Sequence, residues 1–458
     1  MSKTLVFFPK EKPMINLIRY TKLNFADSSK QVIFLSSFLN SKQVIDKGAH
    51  FYSSNWTSEE ETFFFDLLYL FALKSRHNWA LRHLVRPRFL GRDALSWRTL
   101  RTILRHCVAK RKVLRMAFLL IRYLEKPHEC LRVLRQKGVI KANDATFFCE
   151  FLKSERVDSV VIASTLKDSQ SYDLVDAANT LGIRVSILVD SWDNIGTSPC
   201  IPDFSGNLYL WSEQQLEEVK LYYPHATARS LILGTPRRAV AESVKRDREQ
   251  LHKEIKQENG IMLVKILFIQ AYFFDDTSLT FKFLEKVLLD LSKKFNIRFL
   301  ITVREYPFKA PSQNFRENLA GYFEDRDNSD QNCRYIRSGN GELRDDLLAA
   351  NFVISEISTG GLESYLADVP TLFIYSNHKR LYMNGAKVLN FKFASDLMDV
   401  IPAIERGHLE SLEREILKFL QLLGVHGWRP QVKEFTAKRY REYFAADYRI
   451  EEFFSLFG

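Results

Sequence analysis

The chain has 458 residues, 46% of them apolar and 26% charged, with a net charge of +11. That length fits two or three domains with real cores, and the composition excludes a collagen-like, low-complexity or globally disordered chain. The charge is local: residues 76–137 hold 17 Lys and Arg against Asp93, Glu125 and Glu129. One segment therefore makes the protein basic, which argues for one anionic surface partner rather than a protein that coats nucleic acid.

In chain order, apolar runs at 5–8, 31–36 and 49–53 read as strands, with helices over 14–23 and 59–74 ahead of the basic segment. Beyond it, strands at 159–163, 184–189, 207–211 and 230–233 alternate with helices at 172–181 and 213–223. Residues 237–260 are charged and helix-prone and lack an apolar run, which marks a connector. The pattern then restarts. Strands at 264–269, 298–303, 333–336, 352–355 and 371–375 alternate with helices at 279–295, 315–323, 342–350 and 361–367. Short apolar strands separated by helices of ~10–15 residues indicate parallel β-α-β winding. The expected fold is α/β: two doubly wound, Rossmann-like domains facing a cleft, 1–236 and 261–430, with a basic helical insert in the first. A last stretch, 431–458, is aromatic and amphipathic.

The five Cys, at 107, 130, 149, 200 and 333, include no Cys-x-x-Cys and no metal-like spacing, a pattern of free thiols in a reducing compartment. The run at 5–8 is too short for the apolar core of a secretion signal. No stretch reaches the ~18 uncharged apolar residues of a spanning helix. A cytoplasmic protein is expected.

Ligands of open parallel sheets bind beyond the carboxyl ends of the strands. Four runs sit there: Asp190-Ser191-Trp192-Asp193-Asn194, Gly234-Thr235-Pro236-Arg237, Arg304-Glu305-Tyr306-Pro307-Phe308, and residues 356–363. The last has the clearest chemistry. Ser358 and Thr359 offer hydroxyls, Gly360 and Gly361 admit close backbone approach, and a helix then opens with its positive end outward, a ready place for a phosphate. Glu363 would accept hydroxyl bonds from a ribose or sugar. The same residues also suit a plain helix cap, a tight turn and a solvated acid. Asp275-Asp276 and Asp345-Asp346 are adjacent pairs, not Asp-x-Asp, and read as solvated or capping. No metal and no resident cofactor are expected.

Taken with Trp211-Ser212-Glu213, Gly234-Thr235-Pro236-Arg237 and Ser358-Thr359-Gly360-Gly361-Leu362-Glu363, the run at 190–194 resembles the two-Rossmann-domain (GT-B) glycosyltransferases, nearest the bacterial surface-polysaccharide and glycerophosphotransferase-like group. Relatives often carry His-Pro where this chain has Tyr306-Pro307; Arg304 keeps a cation nearby. The resemblance implies metal-independent transfer from a nucleotide-activated sugar to a glycan or lipid-linked acceptor. It places the donor in the second domain, the acceptor against the first, and the final helix back on the first. A sugar-nucleotide 2-epimerase and a non-catalytic scaffold of the same fold are the alternatives.

A transferase of this kind needs a base for the acceptor hydroxyl. Asp193 is the first candidate and Asp190 the second, with Trp192 and Asn194 as acceptor contacts, Trp192 by stacking on a sugar ring. The opposing reading is a core Trp192 and an Asp193 bonded to its own loop. In the basic segment, Trp97, Leu100, Leu104, Phe118 and Ile121 follow helical spacing, while Arg98, Arg101, Arg105 and Arg115 lie largely off that stripe. Such a helix either lies on an anionic membrane leaflet, at the inner face of the cell membrane, or packs its stripe on the first domain. No nucleic-acid recognition motif is present.

Overall fold

A computed structural model of the protein describes residues 3–8, 31–36, 50–55, 64, 135, 142–164, 168–197, 200–250, 257–258, 261–270, 277–304, 332–338, 342–375, 392–423 and 449. The expected helices at 14–23, 59–74 and 315–323, the basic segment and the final stretch lie outside these residues, apart from Phe64, Arg135 and Arg449. The chain divides into two compact units, residues 1–236 with 391–393 and 442–458, and residues 237–390 with 394–441. Both are doubly wound, Rossmann-like α/β units.

In the first unit, β1 (Lys3–Phe8), β2 (Gln31–Ser36), β3 (His50–Phe51), β4 (Ser159–Ser164), β5 (Arg184–Val189), β6 (Leu208–Leu210) and β7 (Ser230–Ile232) make a parallel sheet in the order β3-β2-β1-β4-β5-β6-β7. Helices α1 (Ala145–Ser154), α2 (Ser169–Thr180), α3 (Asn194–Thr197) and α4 (Glu213–Tyr222) belong to the same unit. The central strands are buried on both faces, so they read as unbroken apolar runs rather than alternating ones. Phe7 meets Phe148 of α1 edge-on, ring centroids 5.5 Å apart, within a core that includes Val160, Ile162 and Ile187. Asp168 starts α2 by accepting from Ser171 N at 2.8 Å.

A buried polar knot holds α2 in place. The Arg135 guanidinium bonds Asp173 and Asp176 at 2.5 Å each and lies 5.2 Å above the Phe64 ring. Asp173 also accepts from Asp144 N, and Asp144 accepts from Asn55 N and Ser54 Oγ. Arg135, the described residue of the basic segment, is an interior ion-pair partner and not a solvated charge.

From Pro236 onward the chain runs through α5 (Pro236–Gln250), β8 (Gln257–Glu258), β9 (Ile261–Ile269), α6 (Thr277–Phe295), β10 (Ile297–Arg304), β11 (Cys333–Arg337), α7 (Leu343–Ala349), β12 (Phe352–Glu356), α8 (Thr359–Leu366), β13 (Thr371–Tyr375), α9 (Lys392–Met398), β14 (Ala403–Glu405) and α10 (Leu409–Leu422). The second sheet is parallel in the order β11-β10-β9-β12-β13-β14, and β8 forms a short antiparallel hairpin with the start of β9. Phe268, Phe281, Phe299, Phe352 and Phe419 fill its core. Phe268 and Phe281 approach to 4.6 Å between centroids.

The first half of the expected connector is α5, and this helix is fastened to the second unit. Arg237 pairs with Glu363, Lys245 with Asp368 at 2.8 Å, and Asp247 with Arg344. Arg248 donates to Leu347 O and Ala350 O at the C-terminal end of α7, and burial lowers its guanidinium to about 10. Among the described residues, no helix is long and apolar enough to cross a membrane.

Candidate functional site

In the second unit the strand order reverses between β9 and β12, and such a reversal opens a crevice at the carboxyl ends. The strands end level there: Arg304, Ile269 and Ser355 are register partners in one row. The chain leaving β12 turns at Ser358, whose extended backbone (φ −151°) and side chain cap α8. Ser358 Oγ accepts from Gly361 N at 3.1 Å and lies 3.1 Å from Ser355 Oγ. Leu362 N donates to Ser358 O, the first bond within the helix. The remaining N–H groups of this first turn have no acceptor inside α8, and the helix dipole puts partial positive charge among them.

The two glycines do different work. A methyl group at Gly360 would sit 3.2 Å from Ile269 Cγ2 and 3.6 Å from Leu343 Cδ2, so this turn abuts the end of β9 and the start of α7. A methyl at Gly361 would overlap Phe373 Cε1 and lie 2.8 Å from Ser355 Oγ. Close packing of α8 on the sheet therefore demands glycine at 361.

The charges around this turn are paired. Glu363, 7% exposed, is not solvated; it forms a buried ion pair with Arg237. Arg304 Nη1 bonds Asp346 Oδ2 at 2.6 Å, and Ser338 Oγ donates to the same oxygen at 2.7 Å. Asp346 is thus the counter-charge of Arg304, not a solvated acid, whereas Asp345 beside it is largely exposed. Thr359 is half-buried at the first position of α8.

In the first unit, Asp190, Ser191, Trp192 and Asn194 are buried and Asp193 is half-buried. Trp192 is 3% exposed, so neither face of its indole is open for a sugar; the core reading of this residue is the one that the structure supports. Asn194 begins α3, its N–H donating to Ser191 O at 3.1 Å. The next loop braces this run from one side. Trp211 Nε1 donates to Val189 O at 2.8 Å, and Gln215 Nε2 donates to Ser191 O at 2.9 Å. Gln215 Oε1 accepts from Trp211 N at 2.7 Å, while Ser212 caps α4. Sequence reasoning quoted Trp211 and Ser212 but missed Gln215; the signal was the Ser-x-x-Gln spacing of a capping box, here reaching one residue further back.

Gly234 holds φ +85°, a left-handed conformation that glycine adopts without strain, just past the end of β7. Tyr306, Asp275, Asp276 and the four arginines Arg98, Arg101, Arg105 and Arg115 lie outside the described residues. Among the described residues, no three His, Cys, Asp or Glu gather as a metal-holding group.

No family model matches the chain, and no curated protein matches it. Solved structures do. The chain is similar to MurG from Acinetobacter baumannii at 10% identity, covering 100% of this chain and 99% of that one with a TM-score of 0.48. It is similar to a UDP-GlcNAc 2-epimerase from Methanocaldococcus jannaschii at 11% identity, covering 99% of both chains with a TM-score of 0.46. A trehalose 6-phosphate synthase from Burkholderia multivorans matches at 11% identity over 100% of this chain and 96% of that one, with a TM-score of 0.49.

Proposed function

We propose that the protein is a glycosyltransferase that moves a sugar from a nucleotide-activated donor to a cell-surface glycan or lipid-linked acceptor without a metal. The observation that carries this reading is the turn from β12 into α8 at the reversal of the second sheet, with two guanidinium groups close to the strand ends. In this reading the donor diphosphate lies at the α8 N-terminus, against Ser358, Thr359 and Gly360. Glu363 keeps one oxygen for a ribose or sugar hydroxyl while the other holds Arg237. The growing negative charge of the leaving diphosphate meets the helix end and Arg304, whose orientation Asp346 and Ser338 set in advance. The first unit supplies the base from Asp190 or Asp193, and the basic segment brings the protein to an anionic membrane surface.

Thermal-shift measurements with UDP-, CMP-, CDP- and GDP-linked sugars test the donor. A nucleotide that binds the folded state at 100 times its Kd stabilises it by about 2.7 kcal/mol, a readable rise in melting temperature. Gly360→Val should abolish that shift while unfolding stays cooperative; an unchanged shift moves the donor elsewhere. Nucleotide binding with acceptor-dependent turnover separates a transferase from an epimerase, which would instead return an epimerised donor, and from a scaffold, which would return nothing.

A further inference from the structure

We propose that Gln215, acting with the Trp211 indole, is the positioning residue that fixes Asp190 as the base of this transfer. The inference rests on the reading of residues 190–194 as the run that activates the acceptor. Asp190 is the first residue past β5, and the carbonyls of both its neighbours are anchored by donors from the following loop: Val189 O by the Trp211 indole, Ser191 O by the Gln215 amide. The same carboxamide accepts from Trp211 N, so the two anchors are joined and neither shifts without disturbing the other. Gln215 is 0% and Trp211 4% exposed, so water does not compete for these bonds. The Ser212 cap holds Gln215 on the rigid first turn of α4.

A backbone held on both sides leaves only the side-chain torsions to aim the Asp190 carboxylate. Asp193 sits in the turn that enters α3, beyond the braced stretch. In the step assigned here, the Asp190 carboxylate takes the proton of the acceptor hydroxyl. The acceptor oxygen bonds the anomeric carbon, and the bond from that carbon to the diphosphate oxygen breaks. The electron pair leaves on the nucleotide. A base displaced by about 1 Å costs about 100-fold in such a step.

The test uses the full chain, with nucleotide release from the UDP-, CMP-, CDP- and GDP-linked sugar panel as readout and cell-envelope glycan and lipid fractions as acceptor. Asp190→Asn should lose roughly 100-fold or more in kcat, a larger loss than that of Asp193→Asn. Gln215→Met should lower kcat by roughly 10- to 100-fold with the donor KM unchanged. Gln215→Glu keeps the acceptor for Trp211 N and loses the donor to Ser191 O, and this variant covers the case in which Gln215→Met does not fold. Its buried carboxyl regains a donor when protonated, so its kcat relative to the parent should recover as pH falls and drop as pH rises. If Asp190→Asn is inactive while both Gln215 variants follow the parent in kcat and pH profile, Gln215 is only structural: this inference fails and the functional reading stands. If Asp193→Asn is the inactive variant instead, the inference fails on the choice of base. Normal turnover in both Asn variants, or no nucleotide release from any donor, sinks the functional reading and this inference with it.

Discussion

Gly361 and Gly360 are adjacent in the chain and differ in what surrounds them. Gly361→Ala forces a methyl into Phe373 and Ser355, both interior, and overpacking of this kind typically destabilises by about 1–3 kcal/mol. Gly360→Ala meets Ile269 at 3.2 Å and needs only a shift of a few tenths of an ångström, so its urea midpoint should lie well above that of Gly361→Ala. Equal midpoints would mean that α8 is not seated on β12 and β13 as described. At this scale the sequence was informative about identity and silent about partners. The hydroxyl-glycine turn, Asp190, Arg237 and Arg304 all stand directly after strands, where chain order alone locates them. That Arg237 reaches Glu363 across 126 positions, or that Asp346 counters Arg304, depends on tertiary contacts that no local spacing encodes.

Among elements, the strongly apolar strands were legible because parallel strands buried on both faces leave runs such as those of β5 and β13. Weak elements were not. β14 is three half-buried residues at a sheet edge, and α5 is so charged that its sequence reads as a linker. What holds α5 is a set of long-range ion pairs. The α1 helix also went unread, although Phe147, Phe148, Phe151 and Leu152 carry helical spacing, because it adjoins the basic segment and its strong charge signal. The knot beneath α2 gives a prediction at this scale. Arg135→Met would leave the fully buried Asp173 without its cation, and breaking a buried pair from one side costs about 3–5 kcal/mol. Arg135→Met with Asp173→Asn together should recover part of that loss. A chemical-denaturation cycle over the four proteins measures it, and a single-variant loss within 0.5 kcal/mol would show that the pair carries no such weight.

For the whole molecule, the charge asymmetry remains the feature that composition alone revealed. The intact protein should co-sediment with anionic vesicles at low salt and leave them at high salt, since each Lys or Arg near an anionic surface contributes about 1 kcal/mol and is screened within a Debye length. Reversing Arg98, Arg101, Arg105 and Arg115 to Glu should release it while the nucleotide-induced thermal shift persists; parent protein that stays in the supernatant at low salt removes the membrane from the proposal. The topology of the first sheet has a further consequence. β1 is not at an edge but inserted between β2 and β4, with Thr4 beside Ser159, partners 155 positions apart. During synthesis β1 and β2 leave the ribosome long before β4 exists, so one edge of β1 must wait without its strand partner. Contacts this distant in sequence slow folding, so the first unit should mature late in translation and depend more than most on whatever shelters nascent chains.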